Sequence, residues 1–336
     1  MDNRKAVKRL DLNQNPYDIA ELLSEELNTV WRSIKTNEYP DGSSCELRKA
    51  IASYAGIEPE CIVTGNGSDE LLMLIMQTFV SRGDRVLTFV PTFSMYRQYA
   101  LKEGALMLEY STGGDFNLDI DGFINFRDEH KPKLQIICNP NNPSGGLLSM
   151  TQLESLLKGF KGITVIDEAY YEFSKVTAVP LLERNKKLLI TRTFSKAMGL
   201  AGLRIGYILG SSGLTEQLER VRSPYNLNAF SQAAAVAVLK NYDKVQKTVS
   251  SICGDRDYMY NRIKLIDGIM VFKSYTNFLL LQSSYCSEIE QALLAEGIRI
   301  RRFREPELSD CLRIAVGRSE DNSRIIEIME AIAYGK

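Results

Sequence analysis

A chain of 336 residues, 44% hydrophobic and 25% charged, has the composition of a soluble globular protein and enough length for a large core plus a second domain. With 41 basic and 42 acidic residues the net charge is -1, which argues against nucleic acid, an anionic membrane or a polyacidic partner. Six scattered cysteines (Cys45, Cys61, Cys138, Cys253, Cys286 and Cys311) form neither a disulfide framework nor a zinc-binding spacing, and read as reduced thiols in a cytoplasmic protein. The one histidine, His130, lies in a charged stretch ending at Pro132 and reads as part of a surface turn. A single histidine also argues against a His-based hydrolase or a multi-histidine metal site. No apolar stretch follows the basic N-terminal residues, against a signal peptide, and the longest apolar run, Leu71–Met76, is too short to span a bilayer.

The middle of the chain alternates short apolar strands with amphipathic helices. Cys61–Thr64 reads as a strand, Ser68–Val80 as a helix, Arg85–Phe89 as a strand and Phe93–Glu103 as a helix. Leu106–Tyr110 and Leu134–Cys138 are strands. Thr151–Lys158 is helical, with Thr151 as N-cap and Glu154 completing a capping box. Ile163–Asp167, Leu188–Arg192 and Ile205–Leu209 are compact apolar runs of the buried-strand kind. This alternation predicts an α/β fold with a largely parallel sheet covered by helices on both faces. From Ser231 the pattern turns alanine-rich and helical through about Ile266. The tail then reads strand, helix, strand, helix: Asn277–Leu281, Ser287–Glu296, Ile298–Arg301 with Cys311–Val316, and Asp321–Ala333. The expected division is a large domain over 36–250 and a smaller α+β domain from 1–35 and 251–336.

Four loops carry the chemistry. Lys196 sits in the polar, glycine-punctuated loop Thr193–Arg204 between two apolar runs. A lysine at the end of buried strands can form a Schiff base with an aldehyde, and the same loop offers hydroxyls and an arginine for a phosphate; a surface lysine in a turn is the equal alternative for this loop alone. Thr64–Glu70 is a strand–glycine turn–helix passage, whose helix N-terminus suits an anion; an ordinary turn capped by Ser68 or Asp69 is the simpler alternative. The loop Asn139–Gly146 is stiffened by two prolines and carries amide side chains able to orient a ring substituent; turn chemistry alone is the alternative. Asp167 closes a buried strand, a costly place for a carboxylate without a cation or donors. Its useful partner would be a protonated ring nitrogen, and capping of the next segment is the alternative.

Taken in order, these motifs resemble the class I/II aminotransferases of pyridoxal-phosphate enzyme fold type I. Within that family they are most similar to the histidinol-phosphate aminotransferases. The stretches that carry the resemblance are Asn13–Tyr17, Glu38–Gly42, Gly65–Glu70, the Asn-Asn-Pro loop, Asp167–Tyr170, the lysine loop and Cys311–Ile314, so it spans essentially the whole chain. It implies a mostly parallel seven-stranded sheet, a pyridoxal 5′-phosphate cofactor and a homodimer with shared active sites. Lys196 would hold the cofactor and shuttle a proton, and Asp167 would keep the ring nitrogen protonated. Tyr170 and Asn142 would bond the ring hydroxyl, and Phe93 would stack on the ring, where many relatives carry tyrosine. Gly67, the backbone of Ser68 and Asp69, and the side chains of Thr193, Ser195 and Arg204 would hold the phosphate, with Tyr39 reaching it from the neighbouring subunit. Arg313 would grip the substrate carboxylate or phosphate, with Arg301, Asn142 and, from the partner subunit, Tyr17. Strand alternation puts Arg299 and Arg301 on one face and Arg302 on the other; Arg302 and Arg304 read as a solvated edge.

The implied activity interconverts histidinol phosphate plus 2-oxoglutarate with imidazole-acetol phosphate plus glutamate, in histidine biosynthesis. A broad-specificity aromatic or aliphatic aminotransferase and a threonine-phosphate decarboxylase-like enzyme would use the same cofactor residues. A non-catalytic ligand-binding relative would have no need of Lys196.

Overall fold

The computed structural model describes residues 7–335. Its centre is a seven-stranded sheet in the spatial order Ile62–Gly65, Gly206–Gly210, Leu188–Thr193, Ile163–Asp167, Leu134–Cys138, Arg85–Val90, Leu106–Ser111. Neighbouring strands are parallel except for Gly206–Gly210, which runs antiparallel to both strands beside it. Every residue of Leu134–Cys138 and Leu188–Thr193 is buried, polar Gln135 and Arg192 included, as befits strands covered on both faces. The pleat sends alternate residues to two cores: Val165 and Leu189 pack on one side, Ile166 and Ile190 on the other.

A second sheet is antiparallel throughout, in the order Arg301–Arg302, Cys311–Ala315, Phe278–Ser283, Ile269–Val271. The helices Cys286–Ala295 and Ser319–Tyr334 pack against each other beside it, and Lys8–Arg9 pairs in parallel with Ile298–Arg299. The helix Tyr242–Ile263 runs unbroken across residue 250. No helix among the described residues is long and apolar enough to cross a membrane.

Several expectations need correction. The helix expected to be capped by Thr151 spans Met150–Leu157, and its capping box is Ser149 with Gln152. Both pairs fit the Ser/Thr-x-x-Glu/Gln spacing; starting at Met150 lets Leu153, Leu156 and Leu157 share the buried face. His130 is the last residue of the helix Ile120–His130, not part of a turn. It stacks on Phe126 at 4.1 Å, and its Nδ1 lies 2.9 Å from the Phe126 carbonyl oxygen. The expected strand Ile298–Arg301 is two short pieces in different sheets, so simple alternation does not carry through Ile300. The long alanine-rich helix ends at Lys240 and a new one starts at Tyr242; Asn241 between them donates from Nδ2 to the Ala237 carbonyl.

Candidate active site

Parallel strands end together, and here the ends of Arg85–Val90, Leu134–Cys138, Ile163–Asp167 and Leu188–Thr193 converge on a cavity of about 620 Å³. The second sheet supplies its other wall through Arg301 and Arg313, with Phe303 just past the strand Arg301–Arg302. Of the residues singled out in the sequence, Ser68, Asp69, Phe93, Asn142, Asp167, Tyr170, Thr193, Ser195, Lys196, Arg204, Arg301 and Arg313 all line it. Gly67, Tyr17 and Tyr39 do not. Gly67 underlies Arg204: at φ +85° a Cβ there would sit 2.8 Å from Arg204 Nη2.

Lys196 follows the strand Leu188–Thr193, and its Nζ donates to the carbonyl of Leu12 at 2.8 Å. Burial pushes this amine down to about 8. Arg313 and Arg204 push the same way, and Asp69 and Asp167 pull weakly back. Asp167, 3% exposed, accepts three hydrogen bonds: on Oδ2 from Tyr96 (2.6 Å), and on Oδ1 from Thr191 (3.1 Å) and from the backbone of Ala169 (3.2 Å). The strand register sets Thr191 beside Asp167. Burial raises this carboxyl's pKa, and the bonds from Tyr96 and Thr191 oppose the rise. The bond from Ala169 closes a local turn, and the next helix, Tyr171–Ser174, takes Tyr170 as its N-cap, so Asp167 does not cap it.

An anion cradle lies at one end. The helix Gly67–Phe79 points its N-terminus inward, with Asn66 as its N-cap in place of Ser68 or Asp69. Glu70 Oε2 accepts from the Asn66 backbone and from Asn226 Nδ2 (2.8 Å). Gly206 allows the close approach of strand and helix, since a Cβ there would meet the Ser68 nitrogen at 2.6 Å. Arg204, held at φ +51°, donates to Ser195 Oγ (3.2 Å) and pairs with Asp69 at 2.9 Å. Thr193 Oγ1 accepts from the Ser195 backbone at 3.1 Å.

Across the cavity, Arg313 is 9% exposed. It donates from Nη1 to Asn142 Oδ1 and from Nη2 to the Asp11 carbonyl (2.8 Å). Its Nε is buried with no partner among the described residues. Burial lowers the pKa of this guanidinium, and neighbouring Arg301 adds to the effect. Arg301 stands opposite Arg313 in the strand pairing. Arg302, on the sheet edge, pairs with Glu290 at 3.5 Å, and Arg304 is exposed. Tyr170 is buried and its hydroxyl accepts from Asn13 Nδ2 at 2.9 Å; burial pushes it up to about 12. Phe93 meets Tyr96 edge-on at 5.5 Å.

Tyr39 is 83% exposed and stacks on Tyr225 at 4.8 Å, outside the cavity of its own chain. Tyr17 lies under the guanidinium of Arg318, 4.1 Å from its ring centre.

The sequence reading missed Asp11, Leu12 and Asn13, which act through two backbone carbonyls and one amide, and it missed Tyr96 and Thr191. Asn13 belongs to the Asn-x-Asn-x-Tyr segment, so a signal was present. A backbone carbonyl gives none.

These groups offer a depressed amine, a buried carboxylate and two separate anion-holding ends, the set needed to hold a charged ring cofactor and an anionic substrate together. The chain resembles known proteins along its whole length. A family model, aminotransferase class I and II, matches residues 6–329. The histidinol-phosphate aminotransferase of Ruminiclostridium cellulolyticum is 36% identical over 333 residues, covering 98% of this chain and 93% of that one. Histidinol-phosphate aminotransferase 1 of Carboxydothermus hydrogenoformans is 38% identical, covering 95% and 91%. The crystal structure of the Sinorhizobium meliloti histidinol-phosphate aminotransferase in complex with pyridoxal-5′-phosphate superposes with a TM-score of 0.90. It has 25% identity and covers 99% of this chain and 92% of that one. The chain is a member of the class I and II aminotransferases.

Proposed function

We propose that this aminotransferase binds pyridoxal 5′-phosphate and interconverts histidinol phosphate plus 2-oxoglutarate with imidazole-acetol phosphate plus glutamate, a step of histidine biosynthesis. One observation carries the reading. An amine depressed to about 8, a buried carboxylate that accepts three bonds and pairs with no cation among the described residues, and a buried arginine with an unpaired Nε share one cavity. Relatives bearing the name of this activity match nearly full length.

The residues fit the cofactor. A protonated ring nitrogen would give Asp167 the cation its burial calls for. The cradle of helix N-terminus, hydroxyls and Arg204 suits a phosphate. When bound, pyridoxal phosphate supplies an aldehyde that reacts with amines and a ring that withdraws electrons from the carbon attached to nitrogen. The Nζ of Lys196 holds the aldehyde. The same amine would serve as the base that takes up and returns the proton of the substrate Cα. Asp167 keeps the ring nitrogen protonated, Phe93 covers the ring face, and Asn142 and Tyr170 orient the ring hydroxyl. Gly67, the backbone N–H groups of Ser68 and Asp69, and the side chains of Thr193, Ser195 and Arg204 hold the phosphate.

Arg313, helped by Arg301, grips the phosphate of one substrate and a carboxylate of the other; a forked guanidinium suits both. Tyr39, exposed in its own chain, reaches the cofactor phosphate of a second copy, and Tyr17 reaches the substrate in the same way, so the working form is a homodimer. We read 36–250 as the cofactor domain and 1–35 with 251–336 as the smaller one, the helix Tyr242–Ile263 running across the boundary at 250; residues 1–6 and 336 lie outside the described residues. Six free thiols accord with a cytoplasmic enzyme.

The test is glutamate production from histidinol phosphate and 2-oxoglutarate by the cofactor-loaded protein. Loaded protein that yields no glutamate, or that instead releases carbon dioxide from threonine phosphate, overturns the substrate assignment. Protein that stays colourless with added pyridoxal phosphate overturns the cofactor assignment. Lys196→Ala should lose the borohydride-trapped attachment.

A further inference from the structure

Behind the cavity the helix Met95–Lys102 turns Tyr96 and Tyr99 inward, three residues apart and therefore on one face. Tyr96 is fully buried. Its hydroxyl donates to Asp167 Oδ2 at 2.6 Å, and its ring meets Phe93 edge-on. Tyr99 donates to Asp69 Oδ1 at 2.8 Å, and Asp69 in turn holds Arg204. One helix thus touches the carboxylate at the ring-nitrogen end and the aromatic that would cover the ring, and reaches the arginine at the phosphate end through Asp69.

We propose that Tyr96 is a positioning residue that decides where the proton rests between Asp167 and the cofactor's ring nitrogen, working through the Tyr96–Asp167 hydrogen bond. The inference rests on the cofactor reading above.

The physical argument is one of proton competition. A carboxylate that accepts a short hydrogen bond from a buried hydroxyl is a weaker base than one that does not. Among the described residues the Asp167 carboxylate has three donors: one phenol, one threonine hydroxyl and one backbone N–H. The other ionisable groups near it do not substitute for the phenol. Burial pushes the Cys138 thiol up to about 12, so it is neutral, and Asp69 is a like charge that favours protonation of Asp167. Removing the phenol hydroxyl makes the carboxylate the stronger base. The proton then shifts from the ring nitrogen onto the carboxyl oxygen, and the ring withdraws electrons less strongly. Thr191, bonded to the other oxygen at the longer distance of 3.1 Å, acts in the same direction and more weakly.

The experiment uses full-length protein loaded with pyridoxal phosphate carrying 15N in the ring, read by nitrogen NMR and by the cofactor dissociation constant. In the wild type the ring nitrogen should give a pyridinium signal near neutral pH. In Tyr96→Phe, which keeps the buried ring, the signal should move toward neutral pyridine, with cofactor affinity falling about tenfold for the loss of one hydrogen bond to a charged group. Thr191→Val should give a smaller move in the same direction. Tyr99→Phe should weaken cofactor binding without moving the nitrogen signal. A pyridinium signal unchanged in loaded Tyr96→Phe overturns the proposal, whatever happens to turnover. Wild-type protein that takes up no cofactor overturns the underlying reading instead, so the two failures are separable.

Discussion

Arg192 and Glu168 form an ion pair at 2.9 Å in which both side chains are almost fully shielded from solvent. Each is one residue from a functional group: Glu168 follows Asp167, and Arg192 separates Thr191 from Thr193. Arg192 also donates to Thr177 Oγ1 (2.7 Å) and lies 3.8 Å over the Tyr171 ring, while Glu168 accepts from the Ala178 backbone. The pair joins two strand ends from the side opposite Thr191 and Thr193. Arg192→Leu would leave Glu168 buried without its cation, its carboxylate keeping only the bonds from Thr177 Oγ1 and the Ala178 backbone, a loss of roughly 3–5 kcal/mol. Denaturant unfolding of the apo protein should show it, and the double variant Arg192→Leu with Glu168→Gln should recover part of the loss. A single variant as stable as the wild type would contradict this account.

The depressed amine of Lys196 makes cofactor uptake pH-dependent. An amine attacks an aldehyde only when unprotonated, so the rate constant for loading apo protein should climb with pH and level off above about 8. Arg313→Leu removes a neighbouring positive charge and should move that midpoint upward. The same depression fixes the sign of a stability effect. The unfolded chain takes up the proton below the ordinary value of 10.5, the folded chain only below about 8. Between these values the unfolded state binds more protons, so apo stability contributed by this group rises with pH. Stopped-flow loading across pH checks the first statement and pH-dependent melting the second.

Gly206→Ala should loosen the phosphate end. Its Cβ would press on backbone, with Ser68 N at 2.6 Å and Gly67 C at 2.7 Å, and backbone cannot rotate away as a side chain can. The helix N-terminus would shift off the strand. Cofactor dissociation should increase by about tenfold or more, consistent with a penalty of roughly 1–3 kcal/mol. Equilibrium titration of the apo variant would reveal it.

Arg313→Lys keeps the charge and removes the fork. Asn142 and the Asp11 carbonyl would lose their two separate donors. We expect kcat/KM for histidinol phosphate to fall by about a hundredfold, in line with roughly 2–3 kcal/mol for a charged hydrogen-bond pair. The visible spectrum of the resting enzyme should stay the same. A spectrum that changes as much as turnover would place Arg313 on the cofactor instead.

The strands could be read from sequence where burial on both faces left a mostly apolar run, even with Gln135 or Thr164 inside it. Leu134–Cys138 and Ile163–Asp167 have the predicted ends. Loops punctuated by glycine, proline and asparagine marked the cavity rim for the same reason: backbone that must turn sharply leaves its residue types in the sequence. What stayed hidden was pairing at a distance. Tyr96 on a helix face looks like core packing until the sheet brings Asp167 to it, 71 residues later. The break at Ile300 was hidden because four arginines in six residues mask where one sheet ends and the other begins.

The stretch Asp11–Asn13 binds three residues that lie far along the chain: Tyr170, Lys196 and Arg313, at separations of 157, 184 and 302 positions. Two of these partners, Tyr170 and Lys196, leave the ribosome well before Arg313 does. A chain that ends before Arg313 would keep the Leu12–Lys196 contact but lose the bond that ties Asp11 to the second sheet. The strap is therefore fastened in stages during synthesis, its last anchor arriving with the strand Cys311–Ala315.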